Sequence, residues 1–400
     1  MILELFIAIA LGIFFGIITG LTPGVHINMV SLIVLSLSTY LMQNHSVNVI
    51  SLAIFIIVVG ITHTFLDAIP SIFLGAPNDS TALGVLPGHR YLLRGNGLMA
   101  VKLFTIGSFF GLLVGVALFP LFYLLTKNYY DVIAKYSAYI LIVTSLFMLL
   151  RDKKKLWAIF VFTISAIFGM SVFSLDLKDP LFPMLSGLFG ISTLIISLND
   201  DNNIPEQNDE DHTDLDRPQT IKGLIAGNIS SFIVSTLPGL SSSIAAVVSI
   251  QFIKNIGDKG FMILLGCIGT SSFILSLVAL YTIDKARNGA VIVISQLLPE
   301  VSLNVVIVLL ICALIAGAAS TVLTLSVGRL FAKLISKVNY KMLAIGIMIF
   351  VALLVTIMTS WIGLLVLITS TAIGLIPGIV KVQRTHSMSC IIVPVIIYLL

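Results

Sequence analysis

Leu21-Thr22-Pro23-Gly24 and Thr236-Leu237-Pro238-Gly239 are near copies of one another, and each interrupts a long apolar stretch. Proline removes a backbone donor and glycine loosens the chain, so the pair stops a helix wherever it falls. Inside a bilayer such a stop is tolerated only where protein or a water-filled cavity satisfies the freed backbone groups. Two of them at corresponding places in two halves are the mark of a transporter built from internal repeats, with its site beside the broken helices.

Everything around the two stops is apolar. Of 400 residues, 58% are hydrophobic and 10% charged, with a mean hydropathy of +1.12. A soluble domain carries about a quarter charged residues, so this is an integral membrane protein. Spanning-length apolar segments recur from end to end, which indicates helices rather than the ten-residue strands of a barrel. No cleavable signal peptide is evident at the start, which carries Glu4 but no nearby Lys or Arg. Cys267, Cys312 and Cys390 lie far apart in apolar segments and form neither a disulfide framework nor a zinc pattern. No Gly-x4-Gly-Lys-Ser/Thr loop is present, which disfavours an ATP-driven pump.

A polar connector divides the chain into 1–198, 199–220 and 221–400. It holds Asp200, Asp201, Glu206, Asp209, Glu210, Asp211, Asp214 and Asp216, eight of the 18 acidic residues, and reads as a solvated, mobile linker. The flanking halves match in order. Each opens with a Pro-Gly break; then Gly60–Asp67 corresponds to Gly266–Phe273, and Arg94-Gly95-Asn96-Gly97 to Ala286-Arg287-Asn288-Gly289. Lys and Arg set the orientation. The Arg151–Lys155 run and the Arg329, Lys333, Lys337, Lys341 cluster mark the cytoplasmic side, with Arg90, Arg94, Lys102 and the acidic linker. Spans are expected at about 98–126, 136–150, 156–174, 181–198, 260–283, 289–327, 342–358, 361–377 and 386–400, with Lys127 to Lys135 in an outer loop. The Pro-Gly segments become re-entrant hairpins. With one further apolar segment between the first hairpin and residue 98, each half has five crossings, an odd number, so the halves are inverted and the N-terminus lies outside. Lys285 and Arg287 fall outside in this scheme, against the charge rule.

The candidate site follows from the breaks. At the first stand Thr22, Pro23, Gly24, His26 and Asn28; at the second Thr236, Pro238, Gly239 and the hydroxyl run Ser241, Ser242, Ser243. Helix ends here expose N–H groups with partial positive charge, suited to a carboxylate or phosphate. The plain alternative is a proline kink in a packed bundle. His63 and Asp67, four apart, share one helix face beside Thr62 and Thr64. Ionisable groups are costly in a bilayer and mark a cation, proton or substrate path. Asp67 with the threonines fits Na⁺ or a proton, and neutral His63 can donate to an anion; a structural His–Asp bond is the alternative. Gly75–Thr81, with Asn78, Asp79 and Ser80, reads equally as an unwound cavity lining or a surface loop. Its counterpart, with Thr270 and Ser271, is apolar in context and intramembrane. His89, Arg90 and Arg94 read as interface anchors. His26, His63 and Asp67 have metal-ligand chemistry but no diagnostic spacing.

Thr62-His63-Thr64-Phe65-Leu66-Asp67 through Pro77-Asn78-Asp79-Ser80-Thr81 resembles the archaeal branch of the large membrane subunit of tripartite tricarboxylate transporters. Val85-Leu86-Pro87-Gly88-His89-Arg90, the first Leu-Thr-Pro-Gly, Leu375-Ile376-Pro377-Gly378, His386-Ser387-Met388 and Pro394 fit the same branch. The resemblance covers essentially the whole chain. It implies a permease for small organic anions driven by a cation gradient. In bacterial members a small membrane subunit and an extracytoplasmic binding protein assist.

The expected protein is therefore an all-α, polytopic, multi-pass protein of the cell membrane, with two inverted repeats and alternating access by rocking or as an elevator. It is not an enzyme and has no cofactor beyond a coupling Na⁺ or H⁺. Its partners are a small anion and membrane lipid, with no nucleic acid. Two other readings stand beside it: a flippase of polyprenyl-phosphate lipid carriers, and, remotely, an intramembrane metal-dependent hydrolase using His26, His63 and Asp67.

Overall fold

The computed structural model describes residues 2–23, 27–45, 47–76, 81–177, 179–198, 205–208, 215–236, 242–253, 255–286, 288–298, 300–335 and 340–400. Most of these residues are helical, with no strand among them. In the first half come α1 (Ile2–Leu21), α2 (Ile27–His45), α3 (Val49–Leu66), α4 (Ala68–Phe73), α5 (Val85–Leu93), α6 (Gly97–Ala117), α7 (Phe119–Arg151) and α8 (Lys155–Phe173). A rod of α9 (Leu181–Leu185), a π-helical turn (Ser186–Ile191) and α10 (Ser192–Leu198) ends the half. The second contains α11 (Arg217–Thr236), α12 (Ser242–Phe252), α13 (Gly257–Ile283), α14 (Gly289–Leu297), α15 (Leu303–Ile335), α16 (Tyr340–Val380) and α17 (Ser389–Leu399). Among the described residues, eight helices are long and apolar enough to cross a membrane.

The described helices stop just before each Pro-Gly sequence, α1 at Leu21 and α11 at Thr236, and the next described helices are α2 and α12. Two expected boundaries move. Lys127 to Lys135 lie inside the 33-residue α7 rather than in a loop; the turn falls at Leu118, just before Pro120. The expected 289–327 span is two helices, α14 and α15. Part of the acidic linker is docked: the backbone N–H of Gly97 donates to Gln207 Oε1 at 2.8 Å, and that of Asn208 to the Gly95 carbonyl at 2.7 Å. The expected break at 358–361 is present as Ser360, with a left-handed φ of 61° inside α16.

Small residues explain how the helices approach, because association in a bilayer depends on close packing. On α1, Gly12 and Gly20 lie against Val58 and Leu66 of α3, and Gly16 against Thr62. On α11, Gly223 meets Ile263 and Gly227 meets Cys267 of α13. Both contact series ascend together, so α1 runs parallel to α3 and α11 parallel to α13. The halves then exchange partners. Gly107, Gly111 and Gly115 of α6 pack on Ile263, Cys267 and Ser271 of α13. Reciprocally, α15 packs on the first half, with Gly317 near Phe65 and Phe331 against Phe73. Where α15 meets α6 the order reverses: Gly317 lies on Leu112 and Gly328 near Val101. A second exchange places α17 against α8 (Gly169 on Cys390) and α16 against the π-helical turn (Gly374 on Leu188).

Charged and polar contacts gather at two rims. At one, Arg90 pairs with exposed Asp258 at 3.1 Å, Gln219 abuts Gly257 and Gly260, and Arg151 reaches the Gln251 carbonyl at 3.4 Å. At the other, Lys285 donates to Tyr130 Oη at 3.2 Å and lies over its ring.

Candidate functional site

The site is built around one turn of α13, Ser272 to Ser276. From α11, just before the second break, Ser235 Oγ donates to the Ser272 carbonyl at 2.9 Å. From α3, Gly60 makes room for the ring of Phe273; any side chain there would strike it. From the approach to α14, the backbone N–H of Asn288 donates to Ser276 Oγ at 3.0 Å. Asn288 also caps α14, accepting from the Ala290 N–H at 2.9 Å, and the adjacent Gly289 lies against the amide group of Asn28 in the first turn of α2. Four residues of helix rise about 6 Å. Within that length, α13 thus meets the approach to one break and, through Asn288 and Gly289, the exit from the other.

The first break lies against α3. Gly20 abuts the His63 carbonyl and Leu66, just before Thr22 and buried Pro23. Thr62, His63 and Asp67 are buried, and Thr64, half-buried, donates to the Ile61 carbonyl at 2.8 Å. Asp67 sits at the joint between α3 and α4: its N–H donates to the His63 carbonyl at 3.0 Å, and its own carbonyl accepts from Ser71. The Thr62 hydroxyl is fully buried with no partner among the described residues, an arrangement that asks for a water or an ion.

In the second half, Thr236 is buried and its hydroxyl donates back to the Phe232 carbonyl. Ser242, half-buried, and buried Ser243 open α12. Thr270 and Ser271 lie in the interior of α13; Ser271 Oγ donates to Asn228 Oδ1 at 3.4 Å beside Cys267. Gly24, His26, Pro77, Asn78, Asp79, Ser80, Pro238, Gly239 and Ser241 lie outside the described residues. The described flanks of the Pro77–Ser80 segment, Ala76 and Thr81 to Val85, are buried. His89 is buried too rather than at an interface. Among the described residues no three His, Cys, Asp or Glu side chains gather as a metal site.

Equating the Gly12–Val58 and Gly227–Cys267 contacts changes one expected correspondence. Gly60 then matches Gly269 rather than Gly266, Thr62 matches Ser271, and Asp67 matches Ser276. A three-residue slip leaves a residue on nearly the same helix face, which is why spacing alone does not separate the two registers. Ser235, Ser276 and Asn288 are members that sequence reading missed. A serine in an apolar helix carries no distinguishing signal, and Asn288 was visible only as a loop residue.

A family model described as the tripartite tricarboxylate transporter TctA family matches residues 6–389. The chain belongs to that family. An uncharacterized protein of Methanocaldococcus jannaschii is 29% identical over 401 residues, covering 98% of each chain. No solved structure matches. TctA is a family of membrane transporters and not of enzymes, which removes the hydrolase reading of His26, His63 and Asp67.

Proposed function

We propose that this TctA-family chain is the permease of a secondary transport system for small organic anions, carboxylates among them. The substrate would lie between the two Pro-Gly breaks, with the coupling Na⁺ or H⁺ held by Thr62, Thr64 and Asp67. The observation that carries this reading is the Ser272–Ser276 turn of α13, onto which both breaks converge. Each break pairs a helix C-terminus, rich in carbonyls, with a helix N-terminus, rich in N–H groups. The first suits a cation and the second an anion. At the starts of α2 and α12, Asn28 and Ser242 add side-chain donors. Asp67 supplies the one charge that its counterpart Ser276 lacks, so coupling resides in the first half.

Helix directions support inverted repeats. Taken as one span, α3 and α4 run with α15, α15 runs against α6, and α6 runs with α13, so the equivalent helices α3 and α13 point in opposite directions. Re-entrant hairpins are supported by α11 and α12: the start of one and the end of the other lie at the same rim, at Gln219 and Gln251. Alternating access would expose the site first to one rim, then to the other. The Arg90–Arg151 rim is the cytoplasmic one by its basic residues, which leaves the N-terminus outside. The tripartite family implies a small membrane subunit and an extracytoplasmic binding protein as partners. Uptake of labelled di- and tricarboxylates into proteoliposomes under imposed Na⁺ or pH gradients tests the proposal. Gradient-driven accumulation is the expected result; equilibration that ignores both gradients would refute coupling.

A further inference from the structure

Away from the breaks, an open groove of about 310 Å³ follows the seam between α6 and α15. It is lined by Lys102, Thr105, Phe109 and Phe110 on one wall, and by Thr321, Leu325 and Arg329 on the other. Because α6 and α15 are antiparallel here, with Val101 beside Gly328 and Leu112 beside Gly317, Lys102 and Arg329 share one end of the groove. Phe109 and Phe110 occupy the other end, seven or eight residues or roughly 11 Å along the helix. The charged end is five residues from the start of α6 and six from the end of α15. It therefore lies near one membrane surface, while the aromatic end, where Phe110 is exposed, points toward the bilayer centre.

We propose that this groove binds an anionic phospholipid of the surrounding leaflet, its phosphate at Lys102 and Arg329 and its acyl chain over Phe109, Phe110 and Leu325. Two cations at one end, with the Thr105 hydroxyl one turn along α6, and an aromatic trough beside Thr321 at the other form the complement of a charged-head, apolar-tail molecule, oriented as such a molecule lies in a leaflet. Long basic side chains can instead merely snorkel to the interface, but that role requires neither a shared groove nor a selectivity among lipids. The site is independent of the substrate at the breaks. It sits where the two exchanged helices meet, so occupancy would brace the halves against each other.

The test is a thermal-shift titration of the delipidated full-length protein with phosphatidylglycerol, phosphatidylcholine or inorganic phosphate, with retained lipid read by native mass spectrometry. Phosphatidylglycerol should raise Tm and co-purify, while phosphatidylcholine and free phosphate should not. The Lys102→Gln/Arg329→Gln double variant should bind phosphatidylglycerol on the order of thirtyfold more weakly, from two lost basic contacts. Leu325→Trp, which fills the trough and keeps both charges, should lose the same increment and remains informative if the double variant does not fold. Equal stabilisation by both lipids, an equal response to free phosphate, or an undiminished response in Leu325→Trp would overturn the proposal.

Discussion

In the proposed transport cycle, Asp67 is the residue on which coupling would turn. It is buried at the α3–α4 joint and is the ionisable member of the proposed cation set with Thr62 and Thr64. A carboxylate kept there at such desolvation cost marks a functional group more often than a structural one. Asp67→Asn keeps the shape and removes the charge. Accumulation driven by a cation gradient should fall by at least about tenfold, the loss of a charge-assisted contact, while exchange at equal cation concentration persists. Unchanged driven uptake in Asp67→Asn proteoliposomes would remove Asp67 from coupling. Asp152 is the informative residue outside the spans. Burial alone would raise its carboxyl. The Lys154 N–H at 2.8 Å, His386 Nε2 at 2.9 Å and the Gln383 N–H at 3.4 Å outweigh burial and hold it below the usual carboxylate range. A depressed carboxyl contributes stability that is present above the unfolded value of about 3.9 and lost as pH falls through the folded one. Tm should therefore drop on acidification below about pH 4, and Asp152→Asn should flatten that drop while lowering Tm at neutral pH by the equivalent of about 1–3 kcal/mol. An identical acid profile in the variant would show that the contact is inert.

At the scale of elements, glycine stripes decide which helices pair. Gly266 on α13 faces the Phe104 carbonyl and Ser108 of α6, and Ser108 Oγ donates to the Gly266 carbonyl at 3.2 Å. Alanine in place of glycine gains about 0.5–1 kcal/mol of helix propensity, but here its methyl would strike backbone, which cannot yield as a side-chain tip can. Overpacking costs about 1–3 kcal/mol, so the clash wins and Gly266→Ala should lower Tm. Gly346 on α16 is exposed with nothing near its would-be Cβ, and Gly346→Ala should leave Tm unchanged or slightly higher. Equal behaviour of the two variants in detergent thermal melts would contradict the packing scheme. The Pro-Gly stops were readable in sequence because proline and glycine act locally, whatever surrounds them. The turn at Leu118 was not: charged Lys127 and Lys135 drew the expected loop into what is one continuous helix. Nor was the Asp152–His386 contact, which joins residues over two hundred positions apart with no local signal.

At the scale of the whole molecule, the exchange of α6 and α15 between halves means that neither half has a complete core of its own. Matching order along the chain indicated a repeat, but not that each half packs its long helix on the other. That reciprocity is set by glycine-to-backbone contacts between α6 and α13, which no pattern within a single helix reveals. One consequence is that the two breaks are held against a common spine, and a substrate bound there should feel both halves at once. Joint grip on a small carboxylate from the two breaks is tested by calorimetric titration of purified wild-type, Asn28→Leu and Ser242→Ala protein. Di- and tricarboxylates, with polyprenyl phosphate as the lipid comparator, would each be titrated with and without Na⁺. A soluble carboxylate should bind wild type, and each single variant, one per half, should weaken it on the order of tenfold, the worth of one hydrogen bond to a charged group. Binding of polyprenyl phosphate alone, or carboxylate affinity unchanged in both variants, would contradict the claim.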